Sequence, residues 1–182
     1  MGRDKALLSW GKKTLLSHAL KLAGEVATNV RILGDAEKFA EFAAVIEDVY
    51  RERGPLGGIH AALSGSATEL NLMLAVDLPF VEPQFLRYLI EQANCSDAMV
   101  TVPHAGNGWQ PLCAVYRREF AAVAEQSLRE GKNKIDALFA GVTIRVVEEQ
   151  ELLQRGFSAA MFRNVNTPEE WEAARRNLAE SC

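Results

Sequence analysis

The sequence predicts a three-layer α/β domain built on a doubly wound, mostly parallel sheet. Three observations predict it. Short apolar runs alternate with segments that carry apolar residues at helical spacing along most of the chain. The run Leu70-Asn71-Leu72-Met73-Leu74-Ala75-Val76 is nearly all apolar, and Pro79 stops it, as expected of a parallel strand buried on both faces. Two runs end on acid, one at Glu47-Asp48 and one at Asp77. Right-handed crossovers carry such strand ends to one rim, and ligands of open α/β sheets gather just outside it.

Residues 14–28 hold Leu15, Leu16, Ala19, Leu20, Leu22 and Ala23 at helical spacing, with Thr14 as cap and Gly24 near the end. Residues 30–33 read as a short strand closed by Gly34-Asp35, residues 36–42 as a short helix, and residues 44–46 as a second strand. A polar loop leads to the turn Gly54-Pro55-Leu56-Gly57-Gly58. A helix then begins at Ile59 and ends at Ser64-Gly65-Ser66. After the strand to Asp77 comes a helix over 82–93, a β-branched strand over 98–102, a turn at Gly106-Asn107-Gly108, and a strand over 112–116. An amphipathic helix over 118–129, a short helix over 134–139 and a strand over 142–147 follow. Thr167 caps a last helix that Pro168 opens, with Glu169 and Glu170 placed well for its dipole.

The chain of 182 residues suits one domain, 1–182. Its 48% hydrophobic and 24% charged residues are those of a globular protein. A net charge of −4 argues against general nucleic-acid binding, which needs a basic face. No apolar stretch reaches the roughly 18 residues of a membrane span, and Met1-Gly2-Arg3-Asp4-Lys5 lacks the apolar core of a secretory signal. Cys95, Cys113 and Cys182 are widely spaced and odd in number. Reduced thiols in a cytoplasmic protein are the simplest account. Cys95 or Cys113 as a nucleophile has no suggestively spaced histidine to support it, and His18, His60 and His104 read as structural or surface residues.

Four places carry candidate chemistry. Asp77 at a strand end is a hard oxygen ligand suited to Mg²⁺ and the phosphates that travel with it, or else the cap of the next turn. Lys5, shortly before the first helix, suits a polyphosphate as a compact point charge, or else is solvated. In Gly54-Pro55-Leu56-Gly57-Gly58, adjacent glycines entering a helix let backbone approach an anion or a base edge, or else form a tight turn. In Asn164-Val165-Asn166 the two amides project to one side of an extended segment, or else organise the following cap.

The order of these pieces resembles the molybdenum cofactor guanylyltransferase family, MobA-like NTP transferases. The carriers are Met-Gly-Arg-Asp-Lys, Gly-Pro-Leu-Gly-Gly, the strand ending Asp-Leu-Pro-Phe, Gln110-Pro111-Leu112-Cys113-Ala114-Val115-Tyr116, and Asn-Val-Asn-Thr-Pro-Glu-Glu. The resemblance implies a Rossmann-like fold of the nucleotide-diphospho-sugar transferase kind. It implies transfer of GMP from GTP to the molybdopterin of the molybdenum cofactor, with release of pyrophosphate. Lys5 would hold the triphosphate, Asp77 would hold Mg²⁺ (or Mn²⁺), and Asp48 would face the guanine beside Gly54, Pro55, Leu56, Gly57 and Gly58. Asn164 and Asn166 would lie toward the pterin, with Lys132 or Lys134 near an acidic substrate. Cofactor-biosynthesis proteins and apo-molybdoenzymes are the implied partners. The alternatives are the related molybdopterin cytidylyltransferase and a non-catalytic molybdopterin carrier.

The family begins with an apolar strand and Leu-Ala-Gly-Gly-x-Ser-x-Arg before Met-Gly-x-Asp-Lys, and this sequence starts at that Met. A first strand in such sheets is central. Two interior edges are therefore expected to lack a neighbour, and catalysis is expected to be impaired for want of the phosphate-cradling loop. A shortened start is the favoured explanation.

Overall fold

The computed structural model describes residues 5–10 and 13–165. A 3-10 turn, Lys5–Leu7, leads into a small hairpin, β1 (Ser9–Trp10) with β2 (Lys13–Thr14). Then come α1 (Leu15–Gly24), β3 (Ile32–Leu33), α2 (Ala36–Phe39), β4 (Val45–Ile46), α3 (Pro55–Ser64) and β5 (Leu70–Leu74). The second half runs α4 (Pro83–Asn94), β6 (Val100–Ala105), β7 (Gly108–Trp109), β8 (Cys113–Arg117), α5 (Phe120–Arg129), β9 (Ile144–Glu148) and α6 (Glu149–Gln154). Short 3-10 turns at Asp136–Gly141 and Ala159–Phe162 flank the last strand and helix.

The local signals explain most boundaries. The Thr14 hydroxyl accepts from the Ser17 amide and starts α1. The Asp35 carboxylate caps α2. Pro83 opens α4, where a missing N–H costs nothing.

Three expectations need correction. First, α3 begins at Pro55, so Gly57 and Gly58 lie inside the helix and not in a turn before it. Gly54 is the cap, at φ 64°, a left-handed conformation that glycine adopts without strain. Second, the strand to Asp77 is not flanked by parallel neighbours. β5 pairs antiparallel with β8, in register Leu70↔Arg117 to Leu74↔Cys113. A chain segment far away in sequence supplies that neighbour, which periodicity within 70–77 does not report. Third, the hairpin, β7 and α6 were not expected, being too short for a periodic signal.

The remaining directions suit a doubly wound sheet. β6 is antiparallel to β8 and parallel to β9. β3 and β4 pair parallel. α3 starts beside the end of β4 and of β3, where Gly58 meets Asp48 and Leu33, and it runs back to the start of β5. β5 therefore points the same way as β4, as a helical crossover between parallel strands requires.

Alternating strand residues feed two cores. Cys113, Val115 and Val147 pack with Phe85, Leu86, Leu89 and Leu152 of α4 and α6. Met73, Ala114 and Tyr116 pack with Leu56, Ile59 and Leu63 of α3 and Phe120 and Leu128 of α5. The helices thus cover both faces, giving three layers.

The sheet is divided among the described residues. β3–β4 forms one piece, and β5-β8-β6 with β7 and β9 forms another. Between β3 and β5 lies a cavity of about 860 Å³, lined from both strands and from α1 and α3. Among the described residues, no strand pairs with β3 or β5 on the side that faces this cavity.

Candidate active site

The strand ends that carry acid open onto this cavity. Asp48, two residues past β4, and Asp77, three past β5, both line it. So do Gly54, Pro55 and Gly58 at the start of α3. The cavity brings together the carboxylates and part of the glycine segment, at the end of the sheet where parallel strands terminate.

Asp48 sits hard against the first turn of α3. A Cβ built on Gly57 would lie 3.3 Å from its Oδ2, and one on Gly58 would lie 3.4 Å from its Oδ1. Burial pushes the Asp48 carboxyl above its usual range. Glycine is needed at Gly57 for a second reason: a Cβ there would stand 2.9 Å from the Tyr50 carbonyl oxygen. Close approach, not turn flexibility, accounts for this glycine.

Leu56 and Gly57 do not line the cavity. The Leu56 side chain is fully buried in the α3–α5 core, and Gly57 faces Tyr50. Lys5 is exposed on the first 3-10 turn. The neighbouring Ala6 packs in a cluster with Leu16 and Ile32, against which Val76 packs, and Lys5 is not among the residues that line the cavity.

Asn164 is tied to the same rim. The amide of Val165 donates to the carbonyl of Asp77 at 3.0 Å. Asn166 and the helix expected after Pro168 lie outside the described residues. Lys132 and Lys134 do not reach the cavity; they pair with Glu130 at 2.7 Å and with Asp136 at 3.4 Å on the exposed loop after α5.

Residues that the sequence does not single out hold this corner. His18 Nε2 lies 3.0 Å from the carbonyl of Pro79. Trp10 packs edge-on against Phe80 at 5.5 Å, and the Arg163 guanidinium lies over the Phe80 ring at 4.8 Å from its centre. The available signal is position: Phe80 is three residues after Asp77, and Arg163 directly precedes Asn164.

Cysteine chemistry finds no support. Cys113 is fully buried in the sheet, and burial pushes its thiol up to about 12. His60 is buried on α3 against Tyr50, with Nε2 3.2 Å from the Ser64 hydroxyl. Both roles are structural.

Asp77 suits Mg²⁺ as one of few protein ligands. Among the described residues no three His, Cys, Asp or Glu side chains are grouped to hold an ion alone. Mg²⁺ is often held by one or two carboxylates, substrate phosphates and waters, and the cavity is lined by two carboxylates, Asp77 and Asp48.

Fold and cavity together define an α/β enzyme of the nucleotidyltransferase class. Comparison with known proteins agrees. A family model described as "MobA-like NTP transferase domain" matches residues 1–163. A "probable molybdenum cofactor guanylyltransferase" of Pelotomaculum thermopropionicum is 37% identical over 177 residues, covering 96% of this chain and 85% of that one. The crystal structure of "molybdopterin-guanine dinucleotide biosynthesis protein A" from Archaeoglobus fulgidus has the same fold, with a TM-score of 0.82 at 24% identity over 98% of this chain and 92% of the other. A manganese complex from Mycobacterium tuberculosis shares the fold at a TM-score of 0.58 and 19% identity, covering 81% of this chain and 82% of that one. The chain belongs to the MobA-like NTP transferase family.

Proposed function

We propose that this nucleotidyltransferase is a molybdenum cofactor guanylyltransferase. The observation that carries the reading is the shared cavity: Asp48, Asp77 and the start of α3 border one hollow, and Asn164 is fastened to Asp77 through Val165. The relative from Pelotomaculum bears that activity in its name.

A terminal phosphate oxygen of molybdopterin attacks the α-phosphorus of GTP. The new P–O bond forms as the α–β bridging bond breaks, and pyrophosphate leaves. Such a transfer needs positioning and charge neutralisation rather than a covalent role for the protein. Asp48 accepts from the guanine N1–H and exocyclic amine. The α3 start borders the base and ribose through Gly54, Pro55 and Gly58. Lys5 neutralises triphosphate charge. Asp77 would hold Mg²⁺ or Mn²⁺, which when bound would supply charge neutralisation for the phosphates. Asn164 and Asn166 hold the pterin by their amides. Cofactor-biosynthesis proteins and apo-molybdoenzymes are the proposed macromolecular partners.

The experiment is nucleotide competition. The full chain is incubated with molybdopterin and Mg²⁺ plus GTP or CTP, and pyrophosphate is measured. GTP is expected to give the faster release. A CTP preference replaces this reading with a cytidylyltransferase. Asp77→Ala separates both from a carrier: a catalyst loses turnover while retaining its fold and its molybdopterin binding.

A further inference from the structure

We infer that Tyr50 is a positioning residue for base recognition: braced against α3 and α5, it holds the loop that carries Asp48 and so sets how strongly a guanine is bound. The inference rests on the proposed role of Asp48. It adds Tyr50, Glu125 and Arg129, none of which lines the cavity.

The loop between β4 and α3 does not hold itself in place. Among the described residues, the backbone of residues 48–53 makes no hydrogen bond to other backbone. Val49, Arg51 and Glu52 are exposed. Glu52 stands at φ 59°, a left-handed conformation that a residue with a Cβ keeps only where its surroundings impose it. Among the described residues, the side-chain hydrogen bonds of this loop all belong to Tyr50.

Tyr50 is gripped at three points. Its carbonyl stands 2.9 Å from where a Cβ of Gly57 would lie, on the same glycine that Asp48 Oδ2 approaches to 3.3 Å. Its ring packs against the core shared by α3 and α5, and meets the buried His60 ring edge-on at 5.2 Å. Its hydroxyl donates to Glu125 Oε1 at 3.3 Å and accepts from Arg129 Nε at 3.4 Å. Arg129 in turn donates to the same Glu125 oxygen at 2.6 Å, which closes a triangle on α5. Asp48 and Tyr50, two residues apart, are therefore fixed against one point of α3, and the far end of Tyr50 is fixed to α5. A carboxylate that accepts two parallel donors from a base tolerates little displacement, because hydrogen bonds weaken steeply as they lengthen and bend. Loosening Tyr50 frees that carboxylate to move. Asp77 and the phosphates are served by a different strand end, so the effect falls on the base and spares the transfer step.

The test is Tyr50→Phe in the full chain, which keeps the ring against His60 and removes only the hydroxyl. Calorimetric titration with GTP and Mg²⁺ should show affinity lower by about three- to tenfold, the worth of one hydrogen bond. Affinity for CTP, which lacks the guanine N1–H, should stay as in the parent. In turnover the KM for GTP should rise by the same factor with kcat unchanged. Arg129→Ala, on the exposed side of α5, should shift GTP affinity in the same direction. Tyr50→Phe combined with Glu125→Ala should be no worse than Tyr50→Phe alone, since both break one linkage. Unchanged GTP affinity in Tyr50→Phe overturns the inference. So does an equal loss for GTP and CTP in step with a lower melting temperature, which marks packing alone. Asp48→Asn serves as the reference. If it weakens GTP and Tyr50→Phe does not, the inference fails and the guanine reading stands. If Asp48→Asn leaves GTP binding intact, that reading fails and the inference falls with it.

Discussion

The approach of α3 to the end of β4 yields a sharp test at Gly57. A methyl group at this position meets the Tyr50 carbonyl oxygen at 2.9 Å and Asp48 Oδ2 at 3.3 Å. The first partner is backbone and cannot swing aside. Replacing a helical glycine by alanine ordinarily gains up to about 1 kcal/mol. Overpacking of a filled site costs about 1–3 kcal/mol, so Gly57→Ala is expected to lose up to about 2 kcal/mol net. Gly24 is the internal control. It also lies in a helix, but a Cβ there meets nothing within 4 Å. Gly24→Ala is expected to gain about 0.4–1 kcal/mol. The two variants share one chemical change and differ in sign. Urea denaturation of both, analysed for a change in midpoint at constant slope, measures the difference. Gly57→Ala should also weaken GTP binding, because the methyl displaces the Asp48 carboxylate. If Gly57→Ala is as stable as Gly24→Ala and binds GTP like the parent, the close packing of α3 on Asp48 is refuted.

Three further outcomes follow from the geometry. Phe85 is fully buried between Phe157 and Phe162 at 5.5 Å from each; Phe85→Ala should cost about 3–5 kcal/mol in denaturation experiments and loosen the turn leading to Asn164. Glu151 lies 2.5 Å from Arg145 and also receives the Tyr88 hydroxyl. The Arg145 guanidinium holds the Glu151 carboxyl below its usual value, so this stability is present above the ordinary glutamate range and lost as pH falls through the lowered one. Arg145→Met should cost about 1–3 kcal/mol near neutral pH and flatten that acid limb. Asp48 behaves oppositely: its raised carboxyl binds a proton more readily in the folded chain, so its penalty sets in as pH rises from the ordinary aspartate range through the raised one. On the proposed contact of Asp48 with the guanine, GTP should bind less tightly as pH falls through that same raised range. Calorimetric titrations across pH should show this loss in the parent and not in Asp48→Asn.

Local signals made much of the fold legible. The hydroxyl of Thr14, the carboxylate of Asp35 and the proline at position 83 start their helices as their chemistry dictates. The strand acids Asp48 and Asp77 do meet at one cavity, because parallel strands joined by crossovers end on the same side. What escaped the sequence is non-local. The antiparallel β8 lies between β5 and β6 because of partners 39 to 47 residues along the chain from those of β5, and no period within 70–77 encodes it. The glycine pair Gly57-Gly58 reads as a turn until the Tyr50 carbonyl and the Asp48 carboxylate are seen to press against a helix. Leu56 then belongs to the core, its place set by the helix that those glycines begin. The Phe80–Arg163 contact joins segments eighty-three residues apart and leaves no trace in either one alone.

The most direct test is an anomalous-scattering map from crystals grown with GTP and Mn²⁺. A manganese peak bonded to the Asp77 carboxylate and to the nucleotide phosphates, with the guanine against Asp48, is the expected result. Nucleotide bound away from the cavity shared by these two carboxylates, or manganese bound with Asp77 uninvolved, contradicts the account.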